Sequence, residues 1–224
     1  MKLALKPAIV YDLNGTLLRQ SRDDAKSFYR KCLTDALSPL DKLSEDELAT
    51  ALGDRPEDVA ELRKAAASKG GLAAALAELC HNPPRGTAAR KVYYRLLHSS
   101  TASGDFSIKA IDGAVEQLKK TRSQGFVNIG FSRGPLYFVK HSVECAGLSD
   151  LLDEVFSTDD FGFDKKHGTF AKFRDFLAQR GYEVHCVFED EPAAAQAAAD
   201  DGVACFLVTD GRFEEAKKIE KKGK

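Results

Sequence analysis

Short runs of apolar, β-forming residues alternate with helical patterns in two parts of this chain. The strand-like runs cover residues 8–13, 126–131 (FVNIGF), 184–188 (VHCVF) and 203–208 (VACFLV). Patterns with helical spacing lie between them, at residues 114–123, 136–145 and 170–179. Strands that alternate with helices of this length predict βαβ units and a parallel sheet.

The segment between the first two strands has a different pattern. Residues 24–37, 44–52, 56–68, 72–80 and 87–98 read as successive helices, with Ser44 and Glu47 as a capping box and with breaks at KGG and HNPPRG. We therefore predict an α/β fold in which residues 1–18 and 109–224 form the core and residues 19–108 form an all-helical insertion. The hinges are expected near residues 18–23 and 99–108.

Composition adds limits to this picture. The chain has 224 residues, of which 43% are hydrophobic and 30% charged, enough for one substantial domain with a smaller inserted one. A net charge of −1 gives no global reason to expect nucleic acid or an anionic membrane as a partner. The tail EEAKKIEKKGK is expected to be a charged helix end or a frayed terminus.

The expected location follows from the apolar runs and the cysteines. No apolar run approaches the length of a membrane span, and the apolar patch near the N-terminus is too short for a signal peptide. Five cysteines without paired spacing favour free thiols in a reducing cytosol. We expect a cytoplasmic protein, and the sequence gives no indication of its oligomeric state.

The stretch IVYDLNGTLL, residues 9–18, supports two interpretations. Asn-Gly between apolar runs favours a β-hairpin with a type I′ turn, in which Asp12 only assists the turn. Alternatively, Asp12 lies at the carboxyl end of a central parallel strand, where open α/β sheets bind ligands. Gly15 would then let the backbone turn close to the ligand, and Thr16 would offer a hydroxyl group. These residues alone leave both interpretations open.

Three later segments also carry candidate chemistry. FVNIGFSRG ends a strand at Ser132, FDKKHGTF contains Lys165, and VHCVFEDEPAAAQAAADDG ends a strand in three acidic residues. Each has a purely structural interpretation. Ser132 is a common type of helix cap, Lys165 resembles a solvated surface lysine, and the acids favour the positive end of the helix that begins at Pro192.

The four segments together resemble a known superfamily. YDLNGTLL is similar to the first motif of the haloacid dehalogenase (HAD) superfamily, Asp-x-Asp-Gly-Thr-Leu, except at the second acid. The segments with Ser132, Lys165 and the acidic cluster resemble the second, third and fourth motifs in the same order. The resemblance, to phosphatase-type members, implies a Rossmann-like three-layer core and an inserted helical cap that covers the site.

The resemblance assigns chemistry to particular residues. It implies that Asp12 attacks phosphorus and forms an aspartyl-phosphate, since a carboxylate is nucleophilic without losing a proton at neutral pH. Mg²⁺ would be held by Asp12, Asp190 and the backbone carbonyl of Asn14, with Glu189 as the alternative to Asp190. The groups expected to bind and neutralise a small phosphorylated metabolite are Thr16, Ser132, Arg133, Gly134 and Lys165.

Three departures from the motifs bear on activity. Asn14 stands where the superfamily has its general acid/base, and an amide can neither give nor take the proton; losing such a group costs about 10²–10⁴-fold in rate. KKHG replaces a proline-containing segment after Lys165, and Ala194 stands at a second acidic or polar position, which together suggest a looser lysine and metal environment.

These departures leave several functions open. We expect Mg²⁺-dependent phosphomonoester hydrolysis that is slowed by Asn14. A catalytically weakened binding or regulatory protein is the first alternative. A dehalogenase-type hydrolase, which needs no acid because halide leaves unprotonated, is the second, although the acidic last motif resembles the phosphatase branch. The sequence is also compatible with Asn14 as an engineered replacement of aspartate.

Overall fold

The chain divides into two compact units, one formed by Met1–Gln20 with Ile108–Lys224 and the other by Ser21–Ser107. The computed structural model describes residues 4–19, 107–158 and 165–222, together with six single positions in the second unit. Five of these are helical, namely Asp46, Lys64, Ala67, Tyr94 and His98. The remainder of the predicted helical insertion, including its capping-box residue Glu47, lies outside the described residues.

The first unit is built on a six-stranded sheet with the order β5-β4-β1-β6-β7-β8. Its strands are β1 (Lys6–Tyr11), β4 (Val127–Ser132), β5 (Glu154–Ser157), β6 (Tyr182–Glu189), β7 (Cys205–Leu207) and β8 (Lys217–Ile219). Neighbouring strands pair in parallel, except that β8 runs antiparallel to β7. A separate antiparallel pair, β2 (Leu18–Arg19) and β3 (Lys109–Ala110), joins the two sides of the insertion point.

Within the described part of this unit, four α-helices connect these strands. They are α1 (Ala114–Ser123), α2 (Leu136–Cys145), α3 (Thr169–Gln179) and α4 (Pro192–Asp200), and short 3₁₀ turns occupy Ser149–Leu151 and Phe213–Glu215. The predicted helices at 114–123 and 136–145 are confirmed, and α3 begins one residue earlier than its apolar spacing predicted. Within the described ranges, no helix combines the length and the apolar character needed to span a bilayer.

Helices cover both faces of the sheet. Val10 of β1 packs in a buried cluster with Phe173 of α3 and Ala195 of α4. The next residue, Tyr11, points to the opposite face and donates a hydrogen bond to Thr121 of α1. This alternation produces the predicted three-layer α/β core.

Small side chains on α4 and large ones on α3 fill the first of these layers. Phe131 of β4 stacks on Phe173 with ring centroids 3.9 Å apart. On α4, Ala194 is 1% exposed and lies in the same cluster. Position 194 therefore contributes packing to the core.

The structure excludes the hairpin alternative for residues 9–18, and the expectation for the C-terminal tail was wrong. The strands on either side of Asn14 do not form a hairpin, because β1 pairs with β4 and β6 while β2 pairs with β3. The C-terminal tail is neither a helix end nor frayed in its described part, since Lys217–Ile219 adds β8 to the sheet edge. The lysine-rich sequence did not predict this strand, because an exposed edge strand needs little apolar sequence.

The cysteines follow the prediction where the structure describes them. Cys145 is an exposed free thiol, and Cys186 and Cys205 are buried free thiols. Burial raises the pKa of Cys186 to about 12, which keeps this thiol protonated.

A buried polar network links β1, α1 and β4 on the second face. Asn128 is fully buried, and its Oδ1 accepts a hydrogen bond from Thr121 Oγ1 at 2.8 Å. Its Nδ2 donates to the carbonyl oxygens of Leu118 at 2.8 Å and Leu151 at 3.1 Å. The side chain thus satisfies three buried polar groups, two on α1 and one on the 3₁₀ turn at Ser149–Leu151, which is costly to undo.

We expect Asn128→Ala to lower the free energy of unfolding substantially. Each buried partner left without a hydrogen bond costs about 1–3 kcal/mol, to which the new cavity adds. Urea unfolding followed by circular dichroism measures the loss. The control is Ser123→Ala, which removes one exposed hydrogen bond to Lys120 and should stay within about 0.5 kcal/mol of the unmodified protein. Equal effects of the two changes would contradict this account.

Candidate active site

Asp12 directly follows β1 and lies beside the end of β6. The register pairs Tyr11 with Phe188, and the N–H of Asp12 donates to the carbonyl of Phe188 at 2.8 Å. This pairing places Asp12 next to Glu189, the last residue of β6. The carboxyl ends of parallel strands thus bring two acids together at one edge of the sheet.

Lys165 joins these two acids. Its ammonium group contacts Asp12 Oδ1 and lies 2.9 Å from Glu189 Oε2. The lysine side chain is 2% exposed, so the pair is almost entirely removed from water. Phe131 lies beneath it, with its ring centroid 5.4 Å from Nζ. A buried ammonium shared by two carboxylates is costly to assemble, because all three charged groups must leave water.

Asp190 completes the acidic cluster, and Gly15 leaves room for its carboxylate. Gly15 has φ of +93°, a left-handed conformation that other residues rarely adopt, and a Cβ there would lie 1.9 Å from Asp190 Oδ2. The turn after Asp12 therefore needs glycine both for its backbone conformation and for the close approach of the Asp190 carboxylate.

Crowded acids and burial shift the proton affinities of the cluster. Burial raises the pKa of Glu189 to about 8, and the Asp12 carboxylate adds to the rise, although the Lys165 ammonium opposes it. Burial and the neighbouring Asp12 carboxylate also raise the pKa of Asp190, to about 7. Burial alone would lower the pKa of Lys165, but the two acids beside it outweigh burial and raise it. The lysine therefore stays charged.

The cluster suits a divalent cation. Asp12, Glu189 and Asp190 each offer a carboxylate oxygen, and these oxygens lie within 4.8 Å of one another. Three carboxylates face the single ammonium of Lys165, which leaves an excess of two negative charges when all are ionised. Hard cations such as Mg²⁺ prefer carboxylate oxygens. Glu189 is also bound to the lysine, whereas Gly15 leaves room for the Asp190 carboxylate beside the turn that follows Asp12.

The predicted groups on β4 lie on the strand next to β1. Ser132 ends β4 and is buried, and its hydroxyl donates to the Arg133 carbonyl at 3.3 Å. The Gly134 carbonyl accepts a hydrogen bond from the Ser157 hydroxyl. The Arg133 guanidinium binds Glu191 at 2.6 Å. The structure therefore brings this turn to the same edge of the sheet as Asp12.

The remaining two predicted groups lie within the turn after Asp12. Asn14 is exposed and bridges to Leu18, while the N–H of Gly15 donates to the Leu18 carbonyl at 2.8 Å. Thr16 is fully buried, and within the described part of the chain its hydroxyl has no hydrogen-bond partner.

Sequence reasoning missed two contacts at this site. Glu189 was expected only as an alternative metal ligand, whereas in the structure it binds Lys165. Glu191 was treated as one of three acids near a helix end, yet it binds Arg133 across the loops that follow β4 and β6. No local sequence pattern indicates either contact, since each joins residues from separate segments of the chain.

Comparisons with solved structures identify the fold. The UTR4 protein of Saccharomyces cerevisiae matches with a TM-score of 0.62 at 14% identity, covering 91% of each chain. CbbY of Rhodobacter sphaeroides, solved with phosphate, matches with a TM-score of 0.54 at 15% identity, covering 94% of this chain and 90% of its own. YfnB of Bacillus subtilis, a candidate HAD hydrolase bound to magnesium, matches with a TM-score of 0.52 at 14% identity, covering 90% and 87%.

The likeness between this chain and these structures lies in the fold. Dehalogenases are among the matching structures as well. No protein-family profile matches this chain, and no curated protein matches it. The chain has the HAD-like fold that its four motifs implied.

Two glycines allow a test of the Asp190 contact. Gly15 and Gly125 have φ of +93° and +86°, but no atom lies within 4 Å of a Cβ built on Gly125. We expect Gly125→Ala to cost about 1–2 kcal/mol for its backbone conformation alone. Gly15→Ala should cost clearly more because the new methyl group must displace the Asp190 carboxylate. Urea unfolding of both variants measures the difference, and equal losses would show that the contact is unimportant.

Proposed function

We propose that this protein is a Mg²⁺-dependent phosphomonoesterase that uses Asp12 as its nucleophile. The observation that carries the proposal is the buried Lys165 ammonium, held against Asp12 and Glu189 at the carboxyl end of the sheet. A structural lysine would be expected at the surface, with its charge in water. The proposed substrate class is a small phosphorylated metabolite.

Asp12 has the chemistry for the first step. One carboxylate oxygen attacks phosphorus, and the bond between phosphorus and the leaving alkoxide breaks. Water then attacks the aspartyl-phosphate and releases inorganic phosphate, which regenerates the free carboxylate. Burial beside Lys165 keeps the carboxylate oriented, so little reorganisation is needed at the moment of reaction.

Other groups of the chain neutralise and position the phosphoryl oxygens. Lys165 supplies a fixed positive charge beside the nucleophile, and the Ser132 hydroxyl with the backbone N–H groups of Arg133 and Gly134 supplies donors from the neighbouring strand. Mg²⁺ held by Asp12, Asp190 and the Asn14 carbonyl would add neutralising charge for the transferred group. The close packing of Gly15 against Asp190 supports this choice of ligands.

Asn14 limits the leaving groups that the site can handle. Its amide has no proton to give to a departing alkoxide and no basic site to activate water. Esters whose leaving group is already a weak base suffer least from this loss. The site is therefore expected to favour aryl or acyl phosphates over alkyl phosphates.

Two alternatives use the same residues. In a weakened binding or regulatory protein, Asp12 and Lys165 hold a phosphorylated ligand without turnover, which Asn14 favours. In a dehalogenase-type hydrolase, Asp12 displaces a halide from carbon, and no acid is needed at position 14. The cluster of three carboxylates supports the phosphatase instead, because carboxylate oxygens are the ligands that Mg²⁺ prefers.

The decisive assay compares this chain with Asn14→Asp and Asp12→Ala on an aryl phosphate and an alkyl phosphate in Mg²⁺. We expect slow aryl phosphate hydrolysis by the unmodified chain and no activity from Asp12→Ala. Asn14→Asp should raise the alkyl rate by about 10²–10⁴-fold and the aryl rate by less, since an aryl leaving group needs little protonation.

Each other outcome identifies an alternative. Turnover by neither the unmodified chain nor Asn14→Asp, with retained binding of vanadate, would indicate a binding protein. Chloride release from chloroacetate that requires Asp12 but not Mg²⁺ would indicate a dehalogenase. Hydrolysis that survives Asp12→Ala would remove Asp12 from the mechanism.

A further inference from the structure

The turn that carries Lys165 lacks the usual local means of fixing its shape. KKHG contains no proline, and helix α3 begins after Gly168, which has φ of +83° and offers no side-chain cap. The first turn of α3 also has no acidic residue. A helix that starts in this way leaves its first N–H groups without local acceptors.

Asp201, which directly follows helix α4, supplies those acceptors. The N–H of Gly168 donates to Asp201 Oδ1 at 2.7 Å, and the N–H groups of Phe170 and Ala171 donate to Oδ2 at 2.9 Å and 3.2 Å. The carboxylate is 2% exposed, and His167 Nδ1 lies 2.7 Å from its Oδ1. Asp201 thus caps α3 from a different helix, although 30 or more residues separate it from the groups that it binds.

The cap acts on the turn next to Lys165. The N–H of Thr169 donates to the Lys166 carbonyl at 3.0 Å and closes that turn. On its inner side, Phe170 is buried against the ring of Phe131, the ring that lies beneath the lysine. The start of α3 is therefore held between the aromatic core and the Asp201 carboxylate.

Helix α4 connects this cap to the acidic cluster. Asp190 lies two residues before α4 begins at Pro192, and Asp201 directly follows its last residue. The nine-residue helix is buried along its alanines and packs against α3 and β6. With a rise of about 1.5 Å per residue, this helix is a stiff connection between its two ends. The two ends of one helix therefore carry the acid beside Asp12 and the acid that holds the lysine turn.

We propose that Asp201 is a positioning residue for Lys165: its carboxylate fixes the turn at residues 165–168 and so holds the ammonium between Asp12 and Glu189. The effect on catalysis rests on the function proposed above, whereas the effect on the position of Lys165 does not. On this proposal, the contact fixes the turn in place of the prolines that the resemblance implies after the lysine.

The test uses Asp201→Asn, which keeps the shape of the side chain but turns an –NH₂ group toward backbone donors. Amine acetylation read by mass spectrometry compares Lys165 with its neighbour Lys166 in the same molecule. Buried and paired, Lys165 should react far less than the exposed Lys166 in the unmodified chain. In folded Asp201→Asn, we expect the ratio of Lys165 to Lys166 labelling to rise severalfold.

The matched control is Asp200→Asn. Asp200 ends the same helix, but its carboxylate accepts hydrogen bonds from Gln196 and from the N–H of Lys222. This variant should leave the labelling ratio unchanged. For catalysis, kcat on the aryl phosphate should fall about 10- to 100-fold in Asp201→Asn with KM nearly constant, because a small misplacement of a charged group is costly. Asp200→Asn should keep the activity of the unmodified chain.

The outcomes separate the two proposals. An unchanged labelling ratio in folded Asp201→Asn, judged by circular dichroism, would overturn the positioning role. Failure of Asp201→Asn to fold would also overturn it, since Asp201 would then be a global anchor. Increased labelling with no turnover by any variant would support the positioning role and count against the phosphatase function.

Discussion

The structure of the site depends on one ammonium group that is shared by two carboxylates in the interior. Lys165 is held by Asp12 and Glu189 almost out of contact with water. Taking these charges out of water costs several kcal/mol per ion, and replacing such groups by apolar residues is often neutral or stabilising. Such an arrangement is poorly explained by stability alone. It is well explained by a site that must hold a carboxylate and a positive charge in a fixed relation.

Parallel strand pairing makes that arrangement possible. The register of β1 with β6 places Asp12 next to Glu189 without any help from loops. The rest of the cluster depends on close approach, since Gly15 admits the Asp190 carboxylate where any side chain would exclude it. Asn14, one residue earlier, is exposed in the same turn. The fold can therefore tolerate a change at position 14 without disturbing the packing around Asp12.

Much of the core could be predicted from the sequence, whereas the contacts between segments could not. The helices at Ala114–Ser123 and Leu136–Cys145 have clear apolar spacing, and Asp12 and Lys165 lie in recognisable motifs. The role of Glu189 as partner of the lysine depends on strand register, and the role of Asp201 depends on how α4 lies beside α3. β5 and β8 were missed because one is short and the other consists mostly of charged residues. Local patterns report local structure, and these features are set by the tertiary fold.

The edge of the sheet at β8 bears on whether another chain can pair with it. A parallel sheet that ended at β7 would expose unpaired backbone groups, to which a strand from another molecule could add. Here the chain covers that edge itself with a three-residue antiparallel strand in which Lys217 and Lys218 are exposed. A second copy approaching this side meets like charges on a very short strand. Strand β8 thus gives the sheet a short, basic edge of the kind that disfavours pairing with another strand.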